Sequence, residues 1–206
     1  PLGHQHDVAC AAPLRGKKGA HYEGGMRVPF IAAWAKRNAG NAHQKRLMIP
    51  ANQILPQVAN VTDLFPTLVE LTGAKSPKGH AVDGRSILEP LTGSRDQLGQ
   101  QQFLMHYPHG PHRSNYFTVW RDGDWKVIYH NFPKNPPLGG KVQSAGEHYE
   151  LFNLVKDPFE STNVAKDNPA ILKKMMQGMV AQLKQHGAVY PQDKEGQALK
   201  PIVPYR

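Results

Sequence analysis

Two β-rich segments joined by a tight-turn dipeptide constrain the fold of this chain more than any other feature. The segments are residues 116–120 and 125–129, and Asp122-Gly123 lies in the connection between them. Asp-Gly between such segments is a strong short-range signal for a β-hairpin, because the favoured two-residue turns need backbone with a positive φ. The sequence therefore predicts an antiparallel hairpin in the second half of the chain.

The segments around this hairpin predict a small sheet covered by a helix. Residues 103–107 and 149–154 are two further candidate strands. A helix is predicted after Asp167 or Asn168, with Pro169 in its first turn and Gly187 at its end. One stripe of apolar side chains at three- and four-residue spacing follows this helix: Ile171, Leu172, Met175, Met176, Met179, Val180 and Leu183. We expect an antiparallel meander of about four strands on which this Met-rich stripe packs; a promiscuous binding face is the less favoured interpretation.

The first half of the chain predicts a different organisation. Residues 28–34 form a short continuous apolar run that is typical of a buried central strand. A helix follows, with Thr62 as its N-cap and Gly73 at its end. This half contains no partner strands for the strand predicted at residues 28–34. That strand therefore needs partner strands from outside this half of the chain. The sequence thus predicts two portions, residues 1–100 and residues 101–206.

Charge and composition exclude several classes of function. The 206 residues carry a formal net charge of +9, which favours an anionic partner. The basic residues are scattered, and no nucleic-acid-binding motif is present, so we do not expect a nucleic-acid partner. No apolar run approaches the length of a membrane span. The single cysteine, Cys10, gives no internal disulfide and is interpreted as an inert thiol.

The stretch of residues 13–29 is the best candidate for chemistry. Its sequence is PLRGKKGAHYEGGMRVP. Glycines around Lys17 and Lys18 allow the backbone to approach a ligand closely, and a lysine ammonium suits an oxyanion. Glu23 and Arg27 follow at a spacing that predicts an ordering ion pair. On physical grounds the stretch is either an anion-binding loop or a solvated basic loop.

This stretch closely resembles the lysine loop of the formylglycine-dependent sulfatases, which belong to the alkaline phosphatase superfamily. Weaker similarities follow in the order that the family shows: VTDLFPTL at residues 61–68, DGRSI at 83–87, RDGDWK at 121–126, ELFNL at 150–154, and then Asp157-Pro158, Glu160 and Asn163. The resemblance covers nearly the whole chain. It implies an α/β fold, namely the C-terminal part of an alkaline-phosphatase-like core plus a small α+β subdomain with an antiparallel sheet and a terminal helix.

The resemblance also implies roles for single residues. Lys18 matches the lysine that contacts the sulfate, and it is our candidate catalytic residue. Lys17 stands where the family commonly has glycine and is a candidate for substrate binding. Glu23 and Arg27 match positions for which we expect a structural role. The family's nucleophile motif is absent, because Cys10 does not keep its spacing.

The cofactor implied by the resemblance is calcium, whose ligands we expect outside this chain. We also expect the nucleophile upstream of Pro1, and the chain alone to be inactive. The predicted function is that of a C-terminal fragment of a sulfatase that hydrolyses sulfated carbohydrates or aryl sulfates. Two alternatives stay open: a phosphodiesterase or phosphatase of the same superfamily, and a non-catalytic module that binds glycans or anions. Export to the periplasm or the medium fits such substrates.

Histidines provide a second set of candidates. His106 and His109 lie at a predicted strand-to-loop junction, where the family selects its substrate, and we predict substrate contact for both. His112 and Arg113 are weaker candidates. Structural histidines are the main alternative, and a zinc site the least favoured one because no Cys or acid lies nearby. A further loose group, interpreted as flexible loop histidines, consists of His4, His6 and His21.

Overall fold

The computed structural model describes residues 11–55, 57–94, 102–108, 116–132 and 147–204. The chain forms two compact units. The first consists of the residues up to Val28 together with those from Gln102 onward, and the second of residues 29–101. Among the described residues, no helix is long and apolar enough to span a membrane.

A four-stranded antiparallel meander forms the centre of the first unit. Its strands are β1 (Gln102–Tyr107), β2 (Phe117–Asp122), β3 (Trp125–His130) and β4 (Tyr149–Asn153), and they pair in chain order. Gly123 has a φ of 58° in the turn between β2 and β3, as the Asp-Gly signal requires. The predicted meander is confirmed, with strand ends that differ from the prediction by one or two residues.

A long C-terminal helix covers one face of this sheet. The longest helix of the described chain, Pro169–Gln185, follows Asn168 as its N-cap and has proline in its first turn. Five members of the predicted stripe are buried on it: Leu172, Met175, Met176, Met179 and Leu183. They pack against Trp120, Val127 and Leu151 of the sheet. The Met-rich stripe is therefore part of the hydrophobic core between this helix and the sheet.

The segment before residue 29 covers the opposite face of the sheet. It contains one helical turn, α1 (Glu23–Met26). Its buried side chains Ala20 and Tyr22 pack against an apolar cluster from three strands: Phe117, Val119, Ile128 and Phe152. Since successive strand residues point to opposite faces, β3 directs alternate side chains to the long helix and to this segment. The central strands are consequently buried on both faces.

The regular elements in the described part of the second unit are short helices joined by long loops. This unit contains α2 (Ala42–Arg46), a 3-10 turn (Val61–Asp63), α3 (Leu64–Thr72) and α4 (Leu88–Leu91); the long helix of the first unit is α5. Helix α2 lies in a stretch for which no helix was predicted. Its N-cap is Asn41, whose side chain accepts hydrogen bonds from two backbone amides.

The start of α3 differs from the prediction, while its end agrees. Asn60, and not Thr62, caps the preceding 3-10 turn, because Asn60 and Asp63 form a reciprocal capping box. Gly73 ends the helix with a φ of 73°, as predicted. The second Asp63 carboxylate oxygen accepts a hydrogen bond of 2.9 Å from the Arg85 amide. The carboxylate thus ties the loop after α3 to the helix start.

The predicted buried strand at residues 28–34 is wrong. No strand forms there, and Val28, Phe30 and Ile31 are 79%, 55% and 89% exposed. The physical reason is that a strand needs a neighbour to satisfy its backbone amides, and the described residues of this unit supply none. The division of the chain near residue 100 stays a prediction; residues 11–28 pack with the sheet of the second half.

Candidate functional site

Close backbone packing fixes the shape of the lysine loop, residues 13–27. The Gly24 amide donates a 2.7 Å hydrogen bond to the Arg15 carbonyl. A Cβ atom at Gly24 would lie 2.6 Å from that carbonyl oxygen, and one at Gly25 would lie 2.6 Å from the Lys17 carbonyl oxygen. Real Cβ atoms do not approach so closely, so both glycines are required for α1 to pack on the loop.

A buried ion network joins this loop to the sheet. The Lys126 Nζ atom lies 2.9 Å from a Glu23 carboxylate oxygen and 2.7 Å from a Glu160 carboxylate oxygen. Glu160 also accepts a 2.5 Å hydrogen bond from the Glu23 amide. Burial raises the pKa of Glu160, and the positive charge of Lys126 opposes that rise. The network holds the C-terminal end of the loop rigidly against β3.

A second buried carboxylate, Glu150, anchors the middle of the loop. It accepts a 2.9 Å hydrogen bond from the Tyr22 hydroxyl and lies 2.8 Å from His130 Nε2. The Arg15 guanidinium lies 3.7 Å from Glu150 and stacks on the Tyr22 ring. Burial alone would raise the pKa of Glu150, but the hydrogen bonds from His130 and Tyr22 and the Arg15 charge lower it below its usual value.

His21 is buried, which contradicts its interpretation as a flexible loop histidine. It is 2% exposed, because its ring packs among those of Tyr22, Phe117 and His130. Within the part of the chain that the structure describes, neither ring nitrogen has a hydrogen-bond partner. Burial lowers the pKa of His21, and unfavourable electrostatic interactions with His130, Lys126 and Arg15 lower it further, so the imidazole is neutral at pH 7.

The candidate lysines lie on the outer side of this anchored loop. Lys18 is exposed, and Lys17 is partly buried. Gly16 and Gly19 flank them with φ values of 88° and 87°, a conformation that favours glycine. Lys18 is therefore presented to solvent from a loop whose frame is fixed. Sulfate contact by Lys18 and substrate binding by Lys17 stay predictions.

The structural residues predicted in the loop have different surroundings. Glu23 is buried and ion-paired with Lys126. The Arg27 guanidinium is largely exposed, and its Nε lies 3.9 Å from Glu23. Glu23 therefore makes the contacts that position the loop, while Arg27 adds a distant ion pair. Their structural role stays a prediction.

The structure brings His106 to a different place from the lysine loop. Its ring nitrogens lie 2.8 Å from the Thr118 hydroxyl and 2.8 Å from the Val189 carbonyl oxygen. The contact with Val189 attaches β1 to the segment after α5, and the contact with Thr118 joins β1 to β2. Substrate contact by His106 stays a prediction. His109, His112 and Arg113, like Cys10, His4 and His6, lie outside the described residues.

The residues described here do not fit the calcium ion that sulfatases are expected to bind. Among them, one group of three has its metal-ligating atoms close together, all within 4.8 Å of one another: His21, His130 and Glu150. Calcium prefers six to eight oxygen ligands, whereas two of these three donors are imidazoles. No catalytic step through calcium follows from this chain.

Three residues that position the loop had no role in the sequence-based prediction. Lys126, Glu150 and Glu160 lie in segments of the weaker family similarity, but nothing in their local sequence shows that they are buried. One usable signal was present in β3, where Lys126, Ile128 and His130 alternate with Val127 and Tyr129. An apolar residue between polar ones on the same face indicates that this face is covered too.

The fold and the loop define the class to which the chain is related. A four-stranded antiparallel sheet with a packed C-terminal helix matches a partial region of sulfatase structures. The chain is related to the sulfatase family of the alkaline phosphatase superfamily and covers part of the length of its members. No protein-family model matches the chain.

Individual relatives give the extent of this similarity. A sulfatase of Formosa agariphila is 32% identical over 162 residues, which cover 77% of this chain and 26% of that protein. Human arylsulfatase D is 28% identical over 202 residues, which cover 89% of this chain and 31% of that protein. A sulfatase structure from work on the metabolism of multiple glycosaminoglycans by Bacteroides thetaiotaomicron superposes with a TM-score of 0.56 and 25% identity. It covers 84% of this chain and 32% of that one.

Proposed function

We propose that this chain is the C-terminal portion of a sulfatase that hydrolyses sulfate esters of carbohydrates or aryl alcohols. The observation that carries the proposal is the exposed Lys18 on a loop that buried ion pairs hold against the sheet. A solvated basic loop needs no such frame. A loop that must hold one ammonium group at a fixed place needs such a frame, because an oxyanion is stabilised by preorganised charge.

The chemistry assigned to this chain is charge stabilisation. In sulfate-ester hydrolysis the bond between sulfur and the ester oxygen breaks, water supplies the new oxygen and a proton, and an alcohol and sulfate leave. The Lys18 ammonium donates hydrogen bonds to sulfate oxygens, where negative charge concentrates in the transition state. Lys17 adds positive charge beside it. The nucleophile and the calcium ligands are contributed by residues outside this chain.

The substrate class follows from the relatives and from the charge. Arylsulfatase D is by name an enzyme of aryl sulfates, and the bacterial structure comes from work on glycosaminoglycan metabolism. The net charge of +9 favours a polyanionic substrate over a neutral one. Sulfated carbohydrate is therefore the first substrate to test beside a chromogenic aryl sulfate.

The decisive experiment compares Lys18→Ala with the unchanged complete protein in an aryl sulfate assay. We expect kcat/KM to fall by about a hundredfold or more, which is typical for loss of one oxyanion-stabilising donor. Lys36→Ala is the matched control, because Lys36 is an exposed lysine of the other unit. Circular dichroism and the melting temperature verify that both variants fold.

The outcomes separate the three candidate functions. Loss of sulfate release in Lys18→Ala but not in Lys36→Ala supports the sulfatase. Hydrolysis of phosphate diesters faster than of sulfate esters would make the protein a phosphodiesterase of the same superfamily. A complete protein that binds sulfated glycans but releases no sulfate would be a binding module.

A further inference from the structure

We propose that His21, His130 and Glu150 form a buried zinc site between the lysine loop and the sheet. Their three ligating atoms all lie within 4.8 Å of one another, and all three residues are buried. Two imidazoles and one carboxylate are ligands that zinc accepts, with a fourth position left for water. The site is separate from the exposed Lys18 and does not depend on the proposed function.

The surroundings of His21 favour a metal-ligand role. Its side chain is buried, and among the described residues both of its ring nitrogens lack a hydrogen-bond partner. A buried polar group without a partner is costly, and such a group in a native protein calls for a partner atom. Its ring packs against that of His130 at a centroid distance of 4.7 Å and an angle of 74°. A metal ion between the two rings would supply a partner for one of the two nitrogens.

The distances between the three ligating atoms are close to those of a zinc site. Two donors that each lie about 2.1 Å from one tetrahedral zinc ion are separated by about 3.4 Å. His130 Nε2 and the Glu150 carboxylate oxygen lie 2.8 Å apart, so these two atoms must move slightly away from each other to bind zinc. No pair exceeds 4.8 Å, so side-chain rotation by roughly 1.4 Å at most closes the site.

Other groups already orient the Glu150 carboxylate. The Tyr22 hydroxyl donates to Glu150, and the Arg15 guanidinium lies 3.7 Å from its second oxygen. Such outer contacts are typical of metal-ligating carboxylates. Arg15 and Lys126 also add positive charge, which disfavours a cation. Lys126 is, however, paired with both Glu23 and Glu160, so this charge is compensated locally.

The experiment measures zinc binding by the complete protein after chelator treatment, using a zinc-competing dye. The test variant is His21→Leu, which removes one ligand and fills the same apolar surroundings. We expect the unchanged protein to bind one zinc equivalent more than His21→Leu, or at least about a hundredfold more tightly at this site. His186→Gln removes an exposed histidine of the same unit and is the control. Calcium should not replace zinc.

Thermal unfolding gives a second readout that is independent of activity. Zinc should raise the melting temperature of the unchanged protein and of His186→Gln, and should leave that of His21→Leu unaltered. His130→Gln, which removes the second imidazole, should behave like His21→Leu. Equal zinc binding by the unchanged protein and both ligand variants would overturn the proposal. The proposal would also be overturned if the unchanged protein had the same melting temperature in zinc and in chelator.

Discussion

Lys126 Nζ lies 2.7 Å from a carboxylate oxygen of Glu160, and both side chains are fully buried. The same ammonium group lies 2.9 Å from Glu23, which belongs to the lysine loop 103 residues earlier in the chain. One cation of the sheet therefore holds two carboxylates, one of them part of the loop that presents Lys18. The position of the candidate catalytic lysine depends on this contact between distant segments.

Removal of the shared cation should be strongly destabilising. In Lys126→Met, Glu160 remains buried without a counter-charge and Glu23 keeps only the distant Arg27. Breaking a buried pair in this way costs about 3–5 kcal/mol. Urea unfolding of the variant measures the loss. Lys156→Met, at an exposed position of the same unit, should change the free energy of unfolding by less than about 0.5 kcal/mol.

A compensated variant tests whether the charge, and not the packing of the lysine stem, is responsible. Lys126→Met combined with Glu23→Gln and Glu160→Gln leaves no unpaired buried charge, so a large part of the stability should return. A triple variant as unstable as Lys126→Met would show that the lost interaction is packing.

Gly24→Ala should loosen the lysine loop. The new Cβ atom would meet the carbonyl oxygens of Leu14, Arg15 and Gly16 at 2.9 Å or less, and overpacking of this kind costs about 1–3 kcal/mol. Limited trypsin digestion reports the change, because cleavage after Lys17 or Lys18 requires an open loop. We expect faster cleavage there than in the unchanged protein.

The matched control for this experiment is Gly40→Ala. A Cβ atom at Gly40 meets only a side-chain oxygen of Asn38, at 3.3 Å. Its trypsin pattern at Lys17 and Lys18 should equal that of the unchanged protein. Equal cleavage rates for Gly24→Ala and Gly40→Ala would mean that the backbone contact does not hold the loop.

The elements that could be predicted from the sequence are those whose signals are local. Asp122-Gly123 predicted the hairpin, the methionine stripe predicted α5, and Gly73 marked the end of α3. Each signal lies within the element that it specifies, because turn φ angles and helix periodicity are properties of neighbouring residues. The resemblance to sulfatases was likewise visible in short segments.

What could not be predicted depends on contacts between distant segments. Nothing local shows that Glu23 meets Lys126, or that His21 is buried against His130, since the loop and β3 are brought together only by tertiary packing. The apolar run at residues 28–34 failed for a related reason. Apolar composition alone does not make a strand, which also needs a neighbour to pair with.

Truncation of the core on the other face of the sheet should be costly as well. Met176 is fully buried in α5, and Met176→Ala leaves a cavity that should lower the free energy of unfolding by about 2–5 kcal/mol. Chemical denaturation checks this value. Met48→Ala, at a residue that is 72% exposed, should cost less than about 0.5 kcal/mol.

The turn after β4 gives a prediction of pH dependence. The Asp157 carboxylate accepts a 2.8 Å hydrogen bond from the Ser161 hydroxyl and a 2.9 Å bond from the Thr162 amide. Burial alone would raise the pKa of Asp157, but these hydrogen bonds lower it below its ordinary value of 3.8. Since the folded state favours the ionised form, this contribution to stability is present above pH 3.8. It is lost as the pH falls through the lowered pKa.

Asp157→Asn should therefore be less stable than the unchanged protein at pH 7, and the difference should shrink as the pH falls below 3.8. Ser161→Ala removes one of the donors that favour the ionised carboxylate. In that variant the folded pKa moves back toward 3.8, so the loss of stability should be smaller and should be complete at a higher pH than in the unchanged protein. Urea midpoints measured from pH 7 to about pH 3 check both expectations, because the carboxylate titrates within that range. A constant difference between Asp157→Asn and the unchanged protein across the series would show that the hydrogen bonds to Asp157 do not depend on its charge.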